Sequence, residues 1–292
     1  MPENCRLMTL LSTPMAQPPR IRAKVKVHRI LRNLPGSRQI SWLRTVDKRT
    51  LARERLAGRD EREMLSVVRG SRGLCWTEPI DENHPLVTIA IPTFQRPDTL
   101  GRAIASALNQ SYERLEILVI GDHTDDESAR IATSTGDSRV RFVNLGHQGV
   151  YPTNPLHRNM VSGTAPMNAA LALATGDWIA NCDDDDELLP NHVQSLLAVA
   201  KARQLEFVYG KAEVIEHGLV AAPTEVIGAE PLRIRRITRG SVLYSMGLAF
   251  MRYDVECWRI GEPHDWNLWK RIERAGAHIG FHDEIVYRYH WS

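Results

Sequence analysis

Three short runs, LVTIAI (86–91), LEILVIG (115–121) and DWIANC (177–182), constrain what this chain can fold into more than any other feature. The first two are nearly continuous in apolar residues instead of alternating with polar ones, the pattern of strands buried on both faces of a sheet. RVRFVN (139–144) reads as a further short strand. Between the strands the periodicity becomes helical. Leu100, Ala103, Ile104, Ala107 and Leu108 share one face of a helix over Pro97–Gln110. A polar helix is expected near 125–134, another over Ala165–Ala174 ended by Thr175-Gly176, and one over Asn191–Arg203. Pro92 is expected to stop the first strand, and residues 145–163, with Gly, Pro and Asn throughout, read as a long loop. Strands alternating with helices imply an α/β fold with a largely parallel sheet.

In such sheets ligands bind at the carboxyl ends of the strands, so the residues after each strand carry the chemistry. These are PTFQRP (92–97), GDHTDD (121–126) and the run Asp183, Asp184, Asp185, Asp186, Glu187. Consecutive carboxylates at the end of a buried strand repel one another strongly. A hard divalent cation, Mg²⁺ or Mn²⁺, relieves that repulsion with oxygen ligands, and substrate phosphates commonly complete its shell. The plainer alternative is that one Asp caps the following helix while the others are solvated; the two readings are compatible for different members of the run. No GxxxxGK[ST] loop is present and no GxGxxG follows a strand. A nucleoside diphosphate held through a metal, without a glycine-rich cradle, fits what remains.

The charge is unevenly distributed. The 292 residues carry 37 basic and 35 acidic side chains, a net of +2, which argues against a dedicated nucleic-acid binder. Residues 1–84 hold 17 of the basic and 9 of the acidic groups, a net of +8, and residues 85–292 a net of −6. The segment 1–84 is expected to be a partly helical extension, with helix over 38–69 and a shorter one near Val25–Leu34. It reads either as a basic appendage packed on the main domain or as an electrostatic contact with a polyanionic acceptor or, through residues 20–60, with an anionic membrane surface. No apolar run approaches the ~18–20 residues of a spanning helix. Cys5, Cys75, Cys182 and Cys257 form no CxxC pair, which fits a reducing, cytoplasmic setting.

Three stretches, VTIAIPTFQRPDTLGRAIASALNQSY (87–112), LEILVIGDHTDDE (115–127) and NAALALATGDWIANCDDDDELLP (168–190), in this order and spacing, resemble the family-two GT-A glycosyltransferases. The resemblance continues more weakly through HDWNLWKRI (264–272) to the C-terminus. It implies a GT-A, Rossmann-like, mostly parallel sheet flanked by helices, with residues 85–190 as the nucleotide-sugar half and 191–292 as the acceptor half. It further implies an inverting, metal-dependent transfer from a nucleotide-sugar, a UDP-sugar by preference, to an acceptor hydroxyl on a glycan, a lipid-linked molecule or a small molecule. Pro92, Thr93, Phe94 and Arg96 would line the nucleotide pocket, with Asn168 contributing. Asp122 would accept from the uracil N–H. Asp183 and Asp184 would lie against ribose and diphosphate, Asp185 would be the main metal ligand, and His290 would add a contact to metal or diphosphate. Asp265 would be the general base.

The chain departs from the family's pattern at Gly121, where a first Asp is usual, at Met167, where Arg is common before Asn168, and at His264, where Glu is usual. Arg158, in the 145–163 loop with His147 and His157, is a candidate to replace the missing arginine. Asp265 also reads as a helix N-cap, and Trp266 and Trp269 as either acceptor platforms or core. YSMGLAF (244–250) is assigned to the acceptor side by position alone. Two rival classes are a metal-dependent nucleotidyltransferase, which would show a Gly-rich basic loop after the first strand, and a non-catalytic glycan- or partner-binding module on the same fold.

Overall fold

Strands β1 (Val87–Thr93), β2 (Leu115–Gly121), β3 (Val140–Asn144) and β4 (Trp178–Asn181) pair in parallel in the order β3-β2-β1-β4. All residues of β1 are buried, as a strand covered on both faces requires. The computed structural model describes residues 48–72, 84–125, 127–216, 219–220 and 225–291. The expected helix near Val25–Leu34 and the segment 38–47 lie outside them.

The helices are α1 (Lys48–Arg72), α2 (Pro97–Leu108), α3 (Ser128–Thr133), α4 (Pro155–Val161), α5 (Thr164–Leu173), α6 (His192–Arg203) and α7 (His264–Ala275). They cover both faces of the sheet. Val87, Ile89 and Ile91 of β1 pack with Leu100 and Ile104 of α2 and Leu196 of α6. On the other face Ala90, Leu118 and Ile179 pack with Met167 and Leu171 of α5 and with Leu268, Trp269 and Ile272 of α7. Trp269 is therefore core. Leu65 of α1 joins this second cluster. An ion pair from Arg271 to Glu61 and a hydrogen bond from Arg69 Nε to Glu206 Oε1 (2.9 Å) fasten α1 against α7 and the strand edge. Among the described residues no helix is long and apolar enough to cross a membrane.

Beyond β4 the sheet becomes mixed. β9 (Val242–Ser245) runs antiparallel to both β4 and β6 (Phe207–Glu216). β10 (Ile279–Trp291) is parallel to β6 and antiparallel to the short β5 (Glu187–Leu188). The short strands β7 (Leu219–Val220) and β8 (Val226–Ile227) each pair antiparallel with β6. Register shifts between Phe281 and Tyr287 mark an irregularity in β10, as where a strand is re-aimed.

Two expectations are corrected. Pro92 lies inside β1 and does not stop it. The last β4 partner of β1 is Asn181, opposite Ala90, and Ala90 O accepts from Cys182 N. Pro92 points to the same side, past the end of β4, so no ladder bond is lost. Residues 145–163 are also not all loop, because Pro155–Val161 is helical. Asn154 caps it by accepting from the N–H groups of Leu156 (2.9 Å) and His157 (3.3 Å), and Pro155 takes the first turn.

Candidate active site

The acidic run leaves the end of β4 and is pinned on three sides. Asp183 pairs with Arg239, which precedes β9. Asp184 Oδ1 accepts from Arg96 (3.3 Å) and its Oδ2 from Phe94 N (3.4 Å), both just beyond β1. Asp185 pairs with Arg96 through its side chain, and its carbonyl accepts from Arg102 of α2 at 2.7 Å. Burial opposes the charge on Arg96, but Asp185 and Asp184 outweigh it and raise its pKa. Asp186 accepts from the Tyr287 hydroxyl (2.9 Å) and from the His290 N–H (2.7 Å). It does not cap α6, whose N-cap is Asn191. The β5–β10 pairing begins at Glu187, one residue later, and it brings these β10 groups alongside.

Asp183, Asp185 and Asp186 each offer an oxygen, and these lie within 4.8 Å of one another. Three hard anionic oxygens this close fit a divalent cation such as Mg²⁺ or Mn²⁺. The sequence reading divides the run differently, with Asp184 beside Asp183 and no place for Asp186. A run of like residues does not reveal the turn in which Asp186 N bonds back to Asp183 O (3.1 Å). His290 touches the run twice, through its imidazole to Glu187 Oε1 at 2.6 Å and through its main-chain N–H to Asp186.

Thr93 and Asp122 sit at the matched ends of β1 and β2, joined by Asp122 N to Thr93 O (2.9 Å). The buried Thr93 hydroxyl, at the end of β1, has no hydrogen-bond partner, which leaves a donor and acceptor unused there. Gln95 turns the chain with φ 51, which sends Arg96 toward the acidic run while Phe94 stays exposed. Both oxygens of Asp122 are engaged by the following loop, Oδ1 by Gly149 N–H (2.8 Å) and Oδ2 by the Tyr151 hydroxyl (2.7 Å). Burial first, and then this bond to Asp122, raise the Tyr151 pKa. The Gly121 departure has a steric cause. A Cβ there would lie 2.6 Å from Asn144 Oδ1, and the Asn144 amide already clasps Thr124 N (3.0 Å) and Thr124 O (2.7 Å).

Asp265 lies in the first turn of α7, where its Oδ1 accepts from Trp266 N–H at 2.7 Å. The helix N-cap is Pro263. Burial raises the Asp265 pKa, and the Trp266 N–H and the charge of Arg239 only partly offset it. His264, where an acid is usual, is buried beside Tyr253 with ring centroids 5.3 Å apart. Burial, aided by Arg239, drives its pKa down to about 3, so it is neutral at physiological pH. Arg239 is the residue the sequence reading misses. Its guanidinium pairs with Asp183 and its charge is felt by Asp265 and His264, so it links the two halves of the site.

The remaining candidates make the following contacts. Both ends of the Asn168 amide engage Tyr253, donating to its O and accepting from its N, each at 2.9 Å, so Asn168 ties α5 to the segment before α7. Arg158 is exposed and donates to Pro152 O (3.2 Å). His157 stacks on Trp258, with centroids 4.4 Å apart. His147 is exposed, and Trp266 is partly buried against the second core cluster.

The sequence model described as "Glycosyl transferase family 2" matches residues 88–152 and 156–257, more than half of the chain. Among curated proteins, a putative colanic acid biosynthesis glycosyl transferase, WcaA of Escherichia coli, is 32% identical over 120 residues, covering 40% of this chain and 38% of that protein. WfgD of Escherichia coli, named as a UDP-Glc:alpha-D-GlcNAc-diphosphoundecaprenol beta-1,3-glucosyltransferase, is 27% identical, covering 48% of this chain and 53% of its own. The aligned part thus spans between about a third and about a half of these relatives' lengths. Among solved structures, S. aureus TarS 1-349 in complex with UDP superposes with a TM-score of 0.54 at 15% identity, covering 71% of this chain and 61% of that one. That likeness establishes the fold: a mixed, curled sheet flanked by helices, of the kind the sequence resemblance implies.

Proposed function

The chain belongs to glycosyl transferase family 2, and we propose that it transfers a sugar from a nucleotide-sugar to an acceptor hydroxyl with inversion at the anomeric carbon. One observation carries the reading. Three carboxylates gather at the end of β4, and Asp265, whose pKa is raised by burial, stands beyond the guanidinium that pairs with Asp183. In this reading residues 85–190 form the donor half, 191–292 the acceptor half and 1–84 an extension.

Asp183, Asp185 and Asp186 would hold the divalent ion, which when bound supplies a positive charge against the diphosphate. Asp265 takes the proton of the acceptor hydroxyl. The acceptor oxygen then forms its bond to the anomeric carbon as the bond from that carbon to the diphosphate oxygen breaks, and the electron pair leaves on the diphosphate. A base so placed contributes roughly 10²–10⁴ in rate. A raised pKa suits it, because a stronger base is a better proton acceptor.

Thr93 and Asp122 would meet the nucleoside. The carboxylate of Asp122 has about four acceptor sites, so a uracil imide N–H can share an oxygen with the loop or displace the Tyr151 hydroxyl from it. A UDP-sugar is supported by this acceptor, and by the UDP complex of TarS as a structural neighbour. A lipid-linked acceptor, of the kind named for WfgD, is the class we favour.

The test incubates purified protein with UDP-, GDP- and dTDP-sugars, with Mn²⁺ or with EDTA, and measures nucleoside diphosphate release with and without lipid-linked and free sugar acceptors. Release that requires both Mn²⁺ and one donor class supports the proposal. No release with any donor and acceptor overturns it in favour of a binding module.

A further inference from the structure

We propose that Arg239 is the residue that receives the leaving diphosphate, and that it reaches this role by exchanging Asp183 for phosphate. The inference rests on the glycosyltransferase reading above and names a catalytic group which that reading lacks.

The backbone holds Arg239 in place. A three-residue 3₁₀ turn, Arg239–Ser241, precedes β9, with Ser241 N (3.4 Å) and Ser241 Oγ (3.1 Å) both bonded to Thr238 O. Gly240 lies so close to the Tyr287 ring that no Cβ fits between them. The Arg239 side chain is 11% exposed, and its charge is shared between two regions. It pairs with Asp183 on the metal side and acts electrostatically on Asp265 and His264 on the acceptor side. Its Nε, buried, has no hydrogen-bond partner. A guanidinium presents five N–H donors in a planar fork suited to bidentate capture of phosphate. One carboxylate does not use that capacity.

The position matches where charge develops. In the displacement, negative charge grows on the diphosphate oxygen that departs, between the cation-binding carboxylates and the acceptor base. A cation already fixed there, and shielded from water, stabilises that charge without reorganising. Asp183 belongs to both partnerships, as a member of the three-carboxylate group and as the ion-pair partner of Arg239. Once its charge is shared with a divalent ion, it attracts the guanidinium less, and a diphosphate in the same place offers Arg239 stronger acceptors. Without nucleotide, therefore, Arg239 opposes divalent-ion binding; with a nucleoside diphosphate present, it supports the complex.

This gives opposite signs in one variant. Calorimetry on full-length Arg239→Gln would measure Mn²⁺ alone, then a nucleoside diphosphate in saturating Mn²⁺. The diphosphate is whichever of UDP, GDP and dTDP the wild type binds best. The expected result is Mn²⁺ binding several-fold tighter than wild type, and diphosphate binding about 10–100-fold weaker. The matching nucleoside monophosphate should change by less than about threefold. Arg239→Lys, which keeps the charge but not the fork, should recover part of the diphosphate affinity. If both affinities fall together, Arg239 is only a structural support and the proposal is overturned; unchanged diphosphate binding overturns it equally. A wild type that binds neither Mn²⁺ nor any of the three diphosphates removes the donor reading itself, and this inference with it.

Discussion

Tyr287 bridges two members of the acidic run, so Tyr287→Phe tests whether the run is held by β10. The hydroxyl donates to Asp186 Oδ2 at 2.9 Å and accepts from Asp183 N–H at 3.2 Å, while the ring is fully buried. Phenylalanine keeps the ring and its packing and deletes both bonds. A hydrogen bond to a charged group contributes about 1.5–3 kcal/mol and a neutral one about 0.5–1.5, so the loss lies at roughly 2–4.5 kcal/mol. Asp186 keeps the His290 N–H at 2.7 Å on its other oxygen, which places the expected loss in the lower half of that range. In a domain of this size that corresponds to a fall in Tm of about 4–12 °C. Urea unfolding followed by circular dichroism measures the stability directly. Because Tyr287 also orients a carboxylate of the proposed metal group, Mn²⁺ affinity should fall about 10–100-fold, the usual effect of removing an outer partner. A variant within about 0.5 kcal/mol of wild type with unchanged Mn²⁺ affinity would refute the argument.

Asp265→Asn should retain nucleotide binding and lose roughly 10²–10⁴ in transfer, read as turnover against donor affinity. Because the folded-state pKa of Asp265 is raised, its stabilising contribution is present at low pH and lost as pH rises through that pKa. Asp265→Asn should therefore be more stable than wild type at neutral pH, with the difference shrinking toward the ordinary carboxylate value of about 3.9; equal melting curves at pH 7 and pH 4 would contradict this. Tyr151→Phe removes a hydroxyl that competes for Asp122, so UDP should bind a few-fold tighter by calorimetry, and weaker binding would sink the competition. Gly121→Asp restores the residue usual in the family but drives its Cβ into the Asn144 amide, so it should cost about 1–3 kcal/mol in urea unfolding. A neutral effect would mean that the Asn144–Thr124 clasp yields easily.

The parallel strands β1 and β2 and their ends were legible because their signals are local. The runs at β1 and β2 need no tertiary context to be read as buried strands, and the rule about strand ends then points at Thr93, Asp122 and the acidic run. Pro92 was misread because its effect depends on where the neighbouring strand stops, which is a property of β4 and not of the residues around Pro92. The helix Pro155–Val161 is only seven residues long, too short for a periodic pattern. Asn154-Pro155, a cap followed by a first-turn proline, was the one signal that would have found it. Arg239 carried none. It lies in an irregular basic stretch, ITRGS, and meets Asp183 only because β9 pairs antiparallel with β4. Which residues a long-range pairing brings opposite one another is not written near either of them.

The acidic run shows what that omission does to a physical argument. Read alone, four adjacent aspartates require a cation, and a divalent metal is the natural one. In the fold, Arg96 pairs with Asp184 and Asp185, Arg239 pairs with Asp183, and Asp186 is held by neutral donors from Tyr287 and His290. Two guanidiniums thus already face four carboxylates, and a divalent ion would bring the group to neutrality. The fold therefore has no need of a metal to tolerate the run, and a divalent ion would have to displace or share existing partners. An ion so placed would bind less tightly to the protein alone than to the protein with a diphosphate, whose oxygens would give both arginines somewhere to go. The same carboxylates that identify the site from sequence thus owe their stability to cations that sequence reading could not assign to them.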